Sequence, residues 1–295
     1  MPDSTAPAPD DPVPALVAAH NIDALSKAPG HGFEDVVTVG VPDLLVENLN
    51  FDVLAYVDCM ANEQVLAAIR ASLRSLRDPV RGAAAQAYLK SSMPSLGVRV
   101  PEVRRIARTA AANHPFGSAA ELRATVLDLW RGAEFREERY AAIDLTGLRM
   151  AAGDLRMLPL YEEIIRSGAS WDLVDGVAHR ICALLQEHRQ ELTPVLLMWS
   201  SHEDLWFRRA SITAQLAAKS STDTTLLARV IEANMGDKEF FIRKAIGWSL
   251  REYAKTDPDW VRDFIEHHDR SLSPLSRREA LKNLSDHGTG GDRLV

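Results

Sequence analysis

The sequence predicts an all-α protein built as a helical-repeat solenoid with an irregular N-terminal extension, on three observations. After Asn62, apolar residues recur at spacings of three and four through one stretch after another, broken by short Pro, Gly, Ser and Asn segments. No β-rich stretch of period two appears in that region. The helical stretches also repeat one another at an offset of 35 residues, counted on the sequence.

The elements follow in order. Residues 1–14 hold five prolines and three aspartates among small residues, too little apolar surface to offset the entropy of ordering, so disorder is expected. From about Ala15 to Leu54 the pattern is mixed, with Gly30, Gly32, Gly40 and Pro42 as breaks and Asp35–Val39 as a short strand or extended arm. Helices are then expected over Gln64–Leu76, Val80–Leu89, Val103–Asn113, Ala119–Arg131, Phe135–Met150, Leu158–Ser167 and Trp171–Gln186. The series continues with Gln190–Ser200, Leu205–Leu216, Thr224–Asn234, Glu239–Ala254, Pro258–His267 and Ser276–Ser285. Pro79, Pro101, Pro194, Pro258 and Pro274 fall at or near helix starts, where a missing N–H costs little. Three segments result: an acidic extension over 1–60, a repeat domain over 61–288 and a tail over 289–295.

The repeat is visible residue by residue. Trp206-Phe207-Arg208-Arg209-Ala210 aligns with Phe241-Ile242-Arg243-Lys244-Ala245, and a further step brings Arg243 onto Arg278 and Ala245 onto Ala280. A step back places Trp171 in the column of Trp206, and Glu134–Ala141 matches more loosely. A period in the mid-thirties made of two helices, without ankyrin or tetratricopeptide signatures, points to HEAT-like pairs. In such arrays one helix of each pair lines the binding surface.

Composition narrows the function. The formal charge is −7, but residues 1–70 carry eleven Asp/Glu against two Lys/Arg, leaving a net +2 for the rest. A near-neutral array can still gather basic density on one face, so nucleic acid stays open. No apolar run is long enough to span a bilayer and no signal peptide is evident, so the expectation is a cytoplasmic protein with no membrane association. Cys59 and Cys182 lie far apart, and neither they nor His267-His268 form a metal-ligand pattern. Free thiols, no metal site and no cofactor are expected.

The repeated column carries the candidate chemistry. Trp171 with Asp175, Trp206 with Arg209, and Lys244 with Trp248 and Arg251 are each spaced by three or four, so each set shares a helix face. Arg and Lys take phosphates and indoles contact sugars, bases or cations, which suits a nucleic-acid groove. A single Trp at helical spacing belongs more often to a core, and a flanking Lys or Arg to a solvated surface; three sets in register shift the balance toward a groove. Asp175 stands apart, because a carboxylate repels phosphates. Either it pairs with Arg180, Arg209 or a helix end, or it faces a developing cation such as the oxocarbenium-like sugar of N-glycosidic cleavage.

Five stretches resemble the AlkD-type DNA alkylation repair glycosylases. They are Tyr88-Leu89-Lys90 with Leu96-Gly97-Val98 and Pro101; Trp171–Asp175; Trp206–Arg209; Glu239–Lys255; and Pro274–Ala280. The resemblance covers about residues 64–285 and implies a HEAT-like solenoid that excises 3-methyladenine and 7-methylguanine from double-stranded DNA. It implies that Trp171 and Trp248 wall the lesion, Asp175 is the catalytic carboxylate and Arg209 is the cation beside it on the DNA backbone. Tyr88, Lys90, Trp206 and Arg208 fall in matching DNA-contacting stretches, and helical geometry places Lys244 and Arg251 on phosphates. Where some relatives have a second tryptophan, this chain has Ser170. No protein partner is evident, so a monomer acting on duplex DNA with alkylated purines is expected. The alternative is a non-catalytic member of the same family that binds DNA by its shape.

Overall fold

The computed structural model describes residues 60–282 and Leu284. The readings made for 1–14, the 35–39 arm, Cys59, the end of the last helix at Ser285 and the 289–295 tail lie outside the described residues. The described residues fall within one compact unit, Asp52–Val295, and among them only helices and connecting turns occur.

Thirteen α-helices form: α1 Glu63–Ser75, α2 Pro79–Leu89, α3 Val100–Asn113, α4 Ala119–Arg131, α5 Arg136–Leu145, α6 Leu158–Gly168, α7 Trp171–Glu187, α8 Arg189–Ser200, α9 Leu205–Thr213, α10 Thr224–Glu232, α11 Phe240–Tyr253, α12 Pro258–His267 and α13 Pro274–Leu281. Local chemistry sets many of the starts. Asn62, Asp78, Ser118, Asp204, Asp223, Asp257 and Ser273 each accept a backbone N–H of the first turn, and removing such a cap costs about 0.5–2 kcal/mol. Pro79, Pro101, Pro258 and Pro274 stand in the first turn as expected. Pro194 lies deeper, inside α8. Its missing N–H removes the helical donor of the Gln190 carbonyl, and Gln190 is exposed, so water can take that place.

Two helices stop earlier than apolar spacing predicts. At the end of α5 the bonds tighten from i−4 to i−3: Thr146 N and Oγ1 both donate to the Ile143 carbonyl, and Gly147 N donates to Asp144. The chain then makes a 3-10 turn at Arg149–Ala151 in place of the last part of the predicted 135–150 helix. At the end of α9, Thr213 Oγ1 bonds to the Arg209 carbonyl at 3.0 Å and Ala214 N to Ser211. A side-chain hydroxyl that competes for helical carbonyls in this way ends the helix where hydrophobicity alone would continue it.

The odd-numbered helices pack in series, α1 on α3, α3 on α5, and so on to α13. Helices α4, α6, α8, α10 and α12 form a second row against them. First residues of α5, α7, α9, α11 and α13 (136, 171, 205, 240 and 274) recur with the predicted period. The core between the rows includes Leu66, Ile69, Leu122, Val126, Trp130, Tyr161, Ile164, Trp199 and Phe207, all almost fully buried. Gly176 and Gly247 let odd helices approach closely: a Cβ on Gly247 of α11 would lie 2.7 Å from the Ser276 carbonyl oxygen of α13.

Candidate active site

Helix α7 begins at Trp171, two residues after the left-handed Ala169 (φ 40°) that ends α6. The sharp reversal sets the first two turns of α7 between α5 and α9 in the odd row. Trp171, Trp206 and Trp248 are each partly exposed, whereas Trp130 and Trp199 belong to the core. Trp260 is also partly exposed, outside the repeat column, so burial alone does not single the column tryptophans out.

Asp175 lies one turn into α7 and meets Arg209 of α9. Arg209 Nε donates to Asp175 Oδ1 at 2.8 Å and Nη2 to Oδ2 at 2.7 Å, while Nη1 donates to the Phe241 carbonyl of α11 at 2.6 Å. A planar guanidinium matches a carboxylate in this two-point geometry. Arg209 is 5% exposed. Burial raises the Asp175 pKa, Arg209 works against that, and the nearby Asp172 charge adds to the rise.

The other predicted residues divide into groups. Trp206 packs on Phe241 with ring centroids 5.3 Å apart, Phe241 meets Phe240, and Lys244 lies over the Phe240 ring at 5.9 Å. Lys244 and Arg251 both donate to Glu279 of α13, at 3.0 and 2.7 Å. Burial opposes ionisation of Glu279, but these two cations outweigh it and hold its pKa low. Arg208 turns to the inter-repeat loops: it bonds Asp237 at 3.0 Å and the carbonyls of His202 and Glu203 at 2.7 Å. Trp171 and Trp248 stand on α7 and α11, with α9 between those helices in the row. Tyr88 is 73% exposed at the end of α2, and Lys90 follows it in a left-handed conformation. Among the described residues, no hydrogen bond or ring contact joins Tyr88 or Lys90 to the Asp175 cluster.

Sequence reasoning missed one cluster. Arg136 of α5 forks onto Asp172, Nε to Oδ2 at 2.9 Å and Nη2 to Oδ1 at 2.6 Å. The signal was Arg136 in the loosely matching repeat, about one period before Asp172. Burial opposes ionisation of Asp172, but hydrogen bonds from Arg136, Ser170 and Tyr140 together hold its pKa low. Two carboxylates in adjacent turns are therefore driven in opposite directions. Among the described residues no group of three or more His, Cys, Asp or Glu is placed to hold a metal, and no helix is long and apolar enough to cross a membrane. Cys182 is a free, buried thiol whose pKa burial raises.

No curated protein matches the chain significantly. A predicted DNA alkylation repair enzyme from Enterococcus faecalis, of known structure, is 29% identical with a TM-score of 0.63, over 71% of this chain and 97% of that one. The smu.31 protein of Streptococcus mutans UA159 is 16% identical with a TM-score of 0.48, over 62% of this chain and 92% of that one. The family model described as DNA alkylation repair enzyme matches residues 69–284, a span that takes in all thirteen helices except the first turns of α1. The chain belongs to the DNA alkylation repair enzyme family.

Proposed function

We propose that this protein is a monofunctional DNA glycosylase that hydrolyses the N-glycosidic bond of cationic purines, 3-methyladenine and 7-methylguanine, in duplex DNA. The observation that carries the reading is the Asp175 carboxylate, held by a fork from Arg209 one helical turn from the partly exposed indole of Trp171.

The chemistry follows from charge. An alkylated purine of this class already bears a positive charge, so when the C1′–N bond breaks its electron pair returns to the ring and the base departs neutral. No general acid is needed. The sugar left behind becomes oxocarbenium-like, and a fixed carboxylate opposite C1′ stabilises it. Water then supplies oxygen to C1′ and gives up its proton to the carboxylate or to solvent, leaving an abasic site. Trp171 and Trp248 contribute cation–π contact with the charged base, about 0.5–2 kcal/mol each. Arg209 orients Asp175, while Lys244 and Arg251, where DNA draws them from Glu279, supply cations for phosphate. No lysine neighbours Asp175 in sequence, so hydrolysis is favoured over Schiff-base strand cleavage.

The decisive experiment measures 7-methylguanine released from methylated duplex DNA by purified protein. Release by wild type, with Asp175→Asn nearly inactive yet still bound to DNA, supports the reading. Binding of duplex DNA without release above background would leave the non-catalytic shape binder.

A further inference from the structure

The first residue before α7, Ser170, does not cap the helix with its side chain. Its hydroxyl donates to Asp172 Oδ1 at 2.5 Å and accepts from Arg136 Nη2 at 2.9 Å. Tyr140 of α5 donates to Asp172 Oδ2 at 2.5 Å and accepts from Arg136 Nε at 3.2 Å. Arg136 Nη1 reaches back to Ser91, in the segment that follows α2, at 3.1 Å. Each oxygen of Asp172 therefore accepts two hydrogen bonds, and the Arg136 and Asp172 side chains are only 6% and 10% exposed.

A buried ion pair adds little stability that apolar residues of the same volume would not. A closed network does fix one arrangement of its members, because each alternative leaves a buried polar group unpaired. Here the fixed object is the first turn of α7. Asp172 is adjacent to Trp171 in the chain, and Asp175 lies one turn further, gripped from the other side by Arg209. With Arg136 pulling toward α5 and Arg209 toward α9, the helix cannot rotate about its axis without breaking one fork.

The geometry points to Asp172, with Arg136 and Tyr140, as the positioning unit of the site: it sets the rotation of the first turn of α7, and so the places of Trp171 and Asp175, without touching the substrate. Ser170 is part of that unit, since its small hydroxyl bridges the guanidinium and the carboxylate. The inference rests on the glycosylase reading only for its activity readout, and its structural readout is independent.

The test uses the full chain with 5-fluorotryptophan at its six tryptophans, the Trp171 ¹⁹F resonance being assigned by its loss in Trp171→Phe. Asp172→Asn is expected to shift or broaden that resonance while those of Trp130 and Trp199 stay in place. Single-turnover release of 7-methylguanine should fall roughly 10- to 100-fold in Asp172→Asn, with the Kd for duplex DNA changed by less than about threefold, since small misplacement costs rate more than binding. Tyr140→Phe should lose roughly three- to tenfold, and Asp172→Glu should retain more rate than Asn. Tyr140→Phe and Ser170→Ala each remove one hydroxyl and carry the test if Asp172→Asn does not fold. An unmoved Trp171 resonance, or a rate loss accounted for entirely by the unfolded fraction, overturns the inference. If wild type releases no base, the glycosylase reading fails, and the Trp171 resonance alone decides whether the positioning unit exists.

Discussion

Arg209 holds Asp175 across the α7–α9 boundary with two hydrogen bonds of 2.8 and 2.7 Å. The same guanidinium bonds the Phe241 carbonyl, so one side chain ties together three successive helices of the odd row.

Arg209→Ala should therefore destabilise as well as inactivate. It strands a carboxylate that is mostly buried, and breaking such a pair costs about 3–5 kcal/mol. Arg209→Lys keeps the charge without the fork, so urea unfolding should show a smaller loss of stability while base release drops on the order of 100-fold.

Burial raises the pKa of Asp175, and the proposed reaction needs it ionised. The rate of base release should fall at low pH with an apparent pKa above the ordinary aspartate range. Asp175→Asn should remove that limb together with the activity. Rates measured between pH 4 and 8 on duplex DNA check this.

Glu162 provides a separate pH dependence, in stability. Burial lifts its pKa from 4.5 to about 7, against Arg166 and Trp199. The folded state then binds the proton more tightly than the unfolded chain, so stability is fully present below pH 4.5 and is lost as pH rises through about 7. Glu162→Gln should be more stable than wild type at pH 8 by about 1–3 kcal/mol and nearly equal at pH 4.5. Urea midpoints at the two pH values measure the difference.

Glu279 neutralises Lys244 and Arg251 together. Glu279→Gln should release both for phosphate, tightening duplex DNA binding at low salt. The slope of log K against log salt should steepen by about 0.9 for each freed cation that reaches a phosphate. A variant with unchanged slope would remove these two residues from the DNA contact.

At Gly247 an added Cβ would lie 2.5 Å from Glu279 Cβ and 2.7 Å from the Ser276 carbonyl. Gly247→Ala should lower the Tm through a loss of about 1–3 kcal/mol, the usual cost of overpacking. Gly236→Ala, with nothing within 4 Å, is the control and should be near neutral.

Apolar spacing was enough to read the helices and their period, because each odd helix must bury a stripe against two neighbours. It could not read where α5 and α9 stop, since Thr146 and Thr213 end them through hydroxyl bonds to carbonyls. The site was partly legible for the same reason. Helical spacing puts Trp171 and Asp175 on one face, but a face does not name its opposite. Pairing Asp175 with Arg209 remained one choice among several, and Arg136 as the partner of Asp172 and Glu279 as the partner of Lys244 were not visible, because each contact crosses to another repeat. Arg208, adjacent to Arg209 and chemically equivalent on paper, serves the loops through Asp237 instead.

Both forks on α7 cross a boundary between repeats, with the carboxylates on one helical pair and the guanidiniums on its two neighbours, Arg136 on the one before and Arg209 on the one after. A single pair cut from this chain would carry half of each. The candidate site is thus a property of stacking rather than of any one module, and transplanting α6 and α7 into another helical array would move both acids without the guanidiniums that hold them.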